Sequence, residues 1–99
     1  MNQFGERIKQ FREFNGLLQR ELAVKLGIDT PMLSKIEHGE RRAKREHVAI
    51  LSNIFKLPLE DLLSLWLADK VFEVLKDEDV ALKAIEVAEE ELKTKRINK

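Results

Sequence analysis

The 99-residue sequence predicts an all-α fold, and three observations predict it. Apolar residues recur three and four positions apart along most of the chain, the spacing that gathers side chains on one face of a helix. Glycine and proline are sparse, four and two residues, and stand between these periodic segments as punctuation. No stretch alternates apolar and polar residues in the manner of a strand, and there is no internal repeat or low-complexity linker.

The elements follow in order. Phe4, Ile8, Phe11 and Phe14 keep helical spacing up to Asn15-Gly16, so a first helix is expected over about residues 2–14. A second is expected over Gln19 to Leu26, burying Leu22, Ala23 and Leu26 and closing at Gly27, which can take the left-handed cap conformation. Asp29 is a good N-cap, and Thr30 and Pro31 suit a first helical turn. Leu33 and Ile36 then point inward until Gly39 stops the third helix. Glu40 to Arg45 reads as a polar, basic loop. A fourth helix with Val48, Leu51, Ile54 and Phe55 inward runs to about Lys56-Leu57. Pro58 opens a fifth, apolar on nearly every side from Leu62 to Leu75, which needs more cover than one small core supplies. Asp77-Glu78-Asp79 places negative charge at the start of a last helix, Val80 to Leu92, with a stripe of Ala81, Ala84, Ile85, Ala88 and Leu92. Lys93 to Lys99 is expected to be a frayed tail.

Composition bounds the function. A chain that is 43% hydrophobic and 36% charged makes one soluble domain with a single modest core. The absence of cysteine excludes disulfides, a thiolate nucleophile and Cys-ligated zinc, and suits a cytoplasmic location. No apolar run has the length of a membrane span or the form of a secretory signal. The net charge of zero conceals an asymmetry. Residues 1–57 hold eleven Lys/Arg against seven Asp/Glu, net +4, and residues 58–99 hold seven against eleven, net −4. The amino-terminal part is therefore the candidate surface for a polyanion.

Residues 18–39 carry the chemistry. Two short helices joined by a glycine turn form a helix-turn-helix, which lays its second helix in the major groove of DNA while the first crosses the backbone. Leu22, Ala23, Leu33 and Ile36 lock the pair. Thr30, Pro31, Met32, Ser34 and Lys35 remain outside the shared core, and Thr30, Pro31, Ser34 and Lys35 best fit a groove-facing surface. By pattern alone, an antiparallel helical pair without DNA has the same outline. Arg41, Arg42, Lys44 and Arg45 follow the reading helix where a duplex backbone would pass, and phosphate contacts there add salt dependence rather than sequence preference.

At Leu17, Gln19, Leu22, Ala23, Leu26, Gly27, Ile28, Leu33, Ser34, Ile36, Glu37 and Gly39 the chain resembles the lambda-repressor-like, Xre/Cro-type helix-turn-helix family. Leu59-Glu60-Asp61-Leu62 resembles that family's closing helix. The resemblance covers about residues 4–64. It implies a five-helix lambda-repressor-like DNA-binding domain in residues 1–64, followed here by a carboxy-terminal helical extension in residues 65–99. It implies a homodimer on a palindromic or pseudo-palindromic operator, Gln19 near a phosphate, and Thr30, Pro31 and Lys35 at base-reading positions. Three features depart from the family's pattern. Leu18 and Lys44 replace the usual capping residues of the second and fourth helices, each worth about 0.5–2 kcal/mol. Pro31 with Met32 lacks the side-chain amide that bonds adenine bidentately, which shifts specificity toward thymine methyl contact, Lys35 to guanine and DNA shape.

The remaining residues are weighed against plainer roles. His38 and His47 read as surface histidines rather than metal ligands, and no metal or other cofactor is expected. Glu37 reads as structural, paired with Arg12 or Arg20. Glu60-Asp61 and Glu89-Glu90-Glu91 lie on helix surfaces with no partner base, so no catalytic site is expected. The apolar extension is expected to be a dimer interface through Leu63, Trp66, Leu67, Phe72, Leu75, Ala81, Ile85 and Ala88, with an intramolecular helical hairpin as the other arrangement. The expected function is a sequence-specific DNA-binding transcriptional regulator, a repressor or restriction-modification controller, with no membrane partner and no small-molecule ligand. The alternatives are an antitoxin with a toxin as protein partner, or a protein-interaction module with weak or no DNA binding.

Overall fold

In a computed structural model, which describes residues 2–97, the chain folds into six helices and, among the described residues, no strand. They are α1 (Gln3–Phe14), α2 (Gln19–Leu26), α3 (Thr30–Glu37), α4 (Arg45–Phe55), α5 (Leu59–Leu75) and α6 (Ala81–Ile97). Helices α1 to α4 and the first half of α5 enclose a core of Phe4, Ile8, Leu22, Ala23, Leu26, Leu33, Ile36, Ala43, Val48, Leu51 and Leu62. Phe11 and Phe55 stack at its edge, ring centroids 5.8 Å apart. No helix among the described residues is long and apolar enough to cross a membrane.

The start of α1 is fully accounted for. Asn2 is its N-cap, its Oδ1 accepting from the Gly5 amide at 3.1 Å, while its Nδ2 donates to the Glu37 carbonyl at 2.7 Å. The amides of Gln3 and Phe4 each donate to a carboxylate oxygen of Asp69 on α5, both at 2.9 Å. A helix start whose orphan amides meet an acidic side chain is favoured by both hydrogen bonding and the macrodipole. The first turn of α1 is thus tied to the end of α3 and the middle of α5. Gly5 is the exception to the punctuating glycines: it sits inside α1, where an added Cβ would collide with the Ile36 carbonyl oxygen. Its lack of a side chain lets α1 cross directly over α3.

Phe14 departs from the expected stripe and is 88% exposed. At about 100° per residue it lies about 120° around the helix from Ile8, too far to share a face with it. Arg12 is buried instead. α2 ends as expected at Gly27, φ 70°, and Asp29 caps α3 by accepting from the Met32 amide at 2.8 Å. α4 closes on Lys56 in the left-handed conformation, φ 53°, with the Ser52 hydroxyl donating to the Leu57 carbonyl at 2.6 Å. His47, expected at the surface, is buried beneath the first turn of α4, where its Nδ1 accepts from the Lys44 amide at 3.3 Å.

The fifth helix runs unbroken from Leu59 to Leu75, the span expected for it, so a boundary after residue 64 falls inside α5. The extension departs from expectation at its end. α6 continues through the segment expected to fray, with Lys93 within reach of Glu89 and Glu90 at 3.9 and 3.7 Å; residues 98 and 99 lie outside the described residues. The apolar faces of the two helices stay uncovered: α6 buries none of its side chains through Arg96. Leu67, Val71, Val74 and Leu75 face Ala84, Ile85, Ala88 and Leu92 across an open groove of about 550 Å³.

Candidate nucleic-acid interface

The helix-turn-helix is built on a buried polar knot as well as on its apolar contacts. Leu22, Ala23, Leu33 and Ile36 are all buried between α2 and α3. Beneath them the Glu37 carboxylate, with no exposed side-chain surface, accepts from Arg12 Nε at 2.7 Å, Arg12 Nη2 at 3.1 Å and Gln19 Nε2 at 2.9 Å. Arg12 Nη1 also donates to the Leu17 carbonyl at 2.9 Å. One guanidinium therefore joins α1, the turn before α2 and the end of α3, in the bidentate geometry that makes Arg–carboxylate pairs strong. The Glu37 hydrogen bond and charge raise the Arg12 pKa above its ordinary value against the opposing effect of burial. Glu37 is structural, as expected, and its partner is Arg12.

This knot fixes what α3 presents outward. At about 100° per residue, Thr30, Ser34, His38, Pro31 and Lys35 fall within an arc of about 140°, opposite Leu33 and Ile36. Pro31, Lys35 and His38 are exposed, and Thr30 and Ser34 are half-buried. Met32 is corrected: expected outside the core, it is half-buried against it. His38, expected at the surface and exposed there, joins the groove-facing residues, a placement not expected from the sequence. It lies on the outward arc one turn after Ser34, its Nδ1 2.7 Å from the Ser34 carbonyl. The helical spacing from Ser34 was the available signal.

The basic loop leaves directly from this helix. Gly39 turns the chain at φ 78°, and the amides of Glu40 and Arg41 both bond the Lys35 carbonyl, at 2.8 and 3.3 Å. Arg41, Arg42, Lys44 and Arg45 are all exposed, and among the described residues no carboxylate pairs with any of them or with Lys35. Arg42 lies over the Trp66 ring, 3.9 Å from its centroid, and Arg45 lies 5.9 Å from it. Gln19 is half-buried and aimed by Glu37. Among the described residues no side chain caps the amides at the starts of α2 and α4; Glu21 and His47 instead accept from the backbone amides of Leu18 and Lys44.

The residues expected between copies divide. Trp66 is turned toward its own chain, Nε1 donating to the Ala43 carbonyl at 2.8 Å, and Leu63 packs against the core. Leu67, Phe72, Ile85 and Ala88 are exposed; Leu75 and Ala81 are half-buried.

The pattern of the helix-turn-helix family matches residues 8–62, the span from the middle of α1 to the first turn of α5. A curated relative, the uncharacterized HTH-type transcriptional regulator RghRB of Bacillus subtilis, is 34% identical over 65 residues, which are 65% of this chain and 47% of the relative. The chain thus spans about half the length of that relative. With the family pattern covering more than half of its residues and the two-helix geometry intact, the chain belongs to the helix-turn-helix family of the lambda-repressor-like, Xre type.

Proposed function

We propose that the protein is a sequence-specific DNA-binding regulator of transcription that acts by occupying an operator. One observation carries this reading: five cationic side chains, Lys35 on the reading helix and Arg41, Arg42, Lys44 and Arg45 beside it, are exposed with no carboxylate partner among the described residues. Unpaired cations flanking a helix with an exposed polar face are what a duplex requires, phosphate contacts setting register and side chains on the outward arc reading bases. Thr30, Pro31, Ser34 and Lys35 are assigned to the bases. Gln19 and the four basic residues are assigned to phosphates, together with the uncapped amides at the starts of α2 and α4, since helix N-termini bind anions.

The proposed assembly is a homodimer on a palindromic operator, with repression by occupancy. The uncovered apolar surface of α5 and α6 supports it, because α6 buries none of its side chains through Arg96, and most helical stability comes from packing an apolar face. A cut at Ser64 would also remove Trp66 and Asp69, which hold the loop and α1, so point changes are the sounder test of the interface. Val71→Glu with Ile85→Glu is expected to shift sedimentation from dimer to monomer at micromolar concentration; an unchanged dimer rules out this face.

The assignment of roles is tested by two substitutions on a duplex the protein selects. Lys35→Ala is expected to relax base preference by about 1–3 kcal/mol at its contacted position. Arg42→Ala is expected to weaken binding to all sequences alike; the reverse pattern means that the groove-facing side is misassigned.

A further inference from the structure

We infer that Trp66 is a positioning residue for the phosphate-facing arginines, so that α5 acts on the DNA interface without touching DNA. The inference rests on the DNA-binding reading above. It begins from how an arginine can be held in place. An exposed arginine is free to rotate about several bonds, and that freedom is lost when it engages a phosphate. A carboxylate neighbour restrains the guanidinium, but it occupies the N–H edge and cancels the charge that a phosphate needs. An aromatic ring restrains it through the face and leaves the N–H edge open, and that edge is what grips a phosphate in bidentate fashion.

The Trp66 site has the second arrangement. Arg42 stacks 3.9 Å above the ring, Arg45 stands 5.9 Å from it, and no acidic side chain among the described residues pairs with either. The ring is itself fixed. Its Nε1 donates to the carbonyl of Ala43, a buried residue between the two arginines, so the same indole holds the loop backbone and a guanidinium. Leu62 is buried in the core one turn before Trp66, and Asp69 binds the start of α1 one turn after it, which pins α5 on both sides of the ring. Trp66 therefore lies on the side of α5 that faces the DNA-binding domain. Leu67, Val71 and Val74 lie on the side left open for a partner. One helix links the two surfaces.

The consequence is a pre-ordered phosphate clamp, and pre-organisation raises affinity by removing the ordering cost from the binding step. The test uses the full-length chain and a duplex that the wild type binds, with affinity measured at several salt concentrations. Trp66→Leu is expected to weaken binding about tenfold for specific and non-specific duplexes alike, and to make the salt slope shallower by about one phosphate. Trp66→Phe keeps a ring but loses the Nε1 hydrogen bond and is expected to lose about threefold. The discriminating result is the cycle with Arg42→Ala: because Trp66 acts mainly through Arg42, the ring substitution should cost far less in the Arg42→Ala background than in the wild type. Urea unfolding of each variant guards against global loss of structure, and Trp66→Phe keeps the cycle usable if Trp66→Leu does not fold. Additive losses in the Trp66→Phe cycle, or an unchanged salt slope in a folded Trp66→Leu protein, overturn the inference alone. A wild type that binds no duplex overturns the DNA reading and this inference with it.

Discussion

Replacing Glu37 with glutamine tests whether the buried knot, rather than apolar packing alone, holds the reading helix in place. Glutamine has nearly the same shape but keeps one acceptor oxygen where the carboxylate has two, and it turns an N–H group toward the donors that now converge on Glu37. Arg12 stays charged, because an arginine's ordinary pKa lies far above neutrality without the added upward shift that Glu37 supplies. A guanidinium with 11% side-chain exposure is then left facing an amide. Breaking a buried ion pair by removing one partner costs about 3–5 kcal/mol. Allowing for the acceptor that glutamine retains, the expected loss is about 3 kcal/mol, a large part of the roughly 5–15 kcal/mol that stabilises a domain. In a domain of this size that corresponds to a fall in Tm of about 12–24 °C, measured by circular dichroism and checked by urea unfolding. Converting the pair together, Arg12→Met with Glu37→Leu, should be less destabilising than Glu37→Gln, since apolar replacement of a buried pair is often neutral. The reasoning is refuted if Glu37→Gln changes Tm by less than about 4 °C, a loss of under 1 kcal/mol.

Gly5→Ala places a methyl group against the Ile36 carbonyl and should destabilise by about 1–3 kcal/mol in urea unfolding, because the close crossing of α1 over α3 has to open. Lys56→Gly removes the left-handed strain at the end of α4 and should stabilise by about 0.5–1 kcal/mol in the same measurement; a loss of stability would contradict the cap assignment. Asp69→Ala removes the acceptor for two α1 amides and should lower stability by about 1–2 kcal/mol while leaving base preference in a duplex selection unchanged.

Much of this fold is legible in the sequence because local signals agree with the tertiary result. Gly27, Asp29 and Gly39 punctuate α2 and α3 where backbone chemistry requires it, and Leu22, Ala23, Leu33 and Ile36 share the period of the elements they join. What escapes a linear reading is long-range and polar. Nothing local distinguishes Asn2 or Asp69 from other surface polar residues, yet together they satisfy the start of α1 from positions 67 residues apart in the sequence. Phe14 looks like core by composition and lies off the face by angle. His47 looks like surface by type and is buried, with its Nδ1 accepting from the Lys44 amide. At the candidate site, the α3 face and basic loop follow from helical period and charge. The Trp66 stack does not, since it joins residues 24 apart on separate elements. The apolar surplus of α5 and α6 is visible from composition, and so is the unbroken run of α5 past residue 64 to Leu75; the continuation of α6 through the charged segment after Leu92 is not.

The central claim is tested most directly by selecting duplexes from a random pool with the purified full chain at two salt concentrations. A dimeric reader enriches a two-fold-symmetric sequence whose half-sites lie about one helical turn, roughly 34 Å, apart. Its affinity is expected to fall with log salt at a slope between about −4 and −7, the range for two to four phosphates engaged by each of two copies. Binding that shows neither sequence enrichment nor salt dependence would contradict the claim and would favour a helix-turn-helix fold used for protein contact alone.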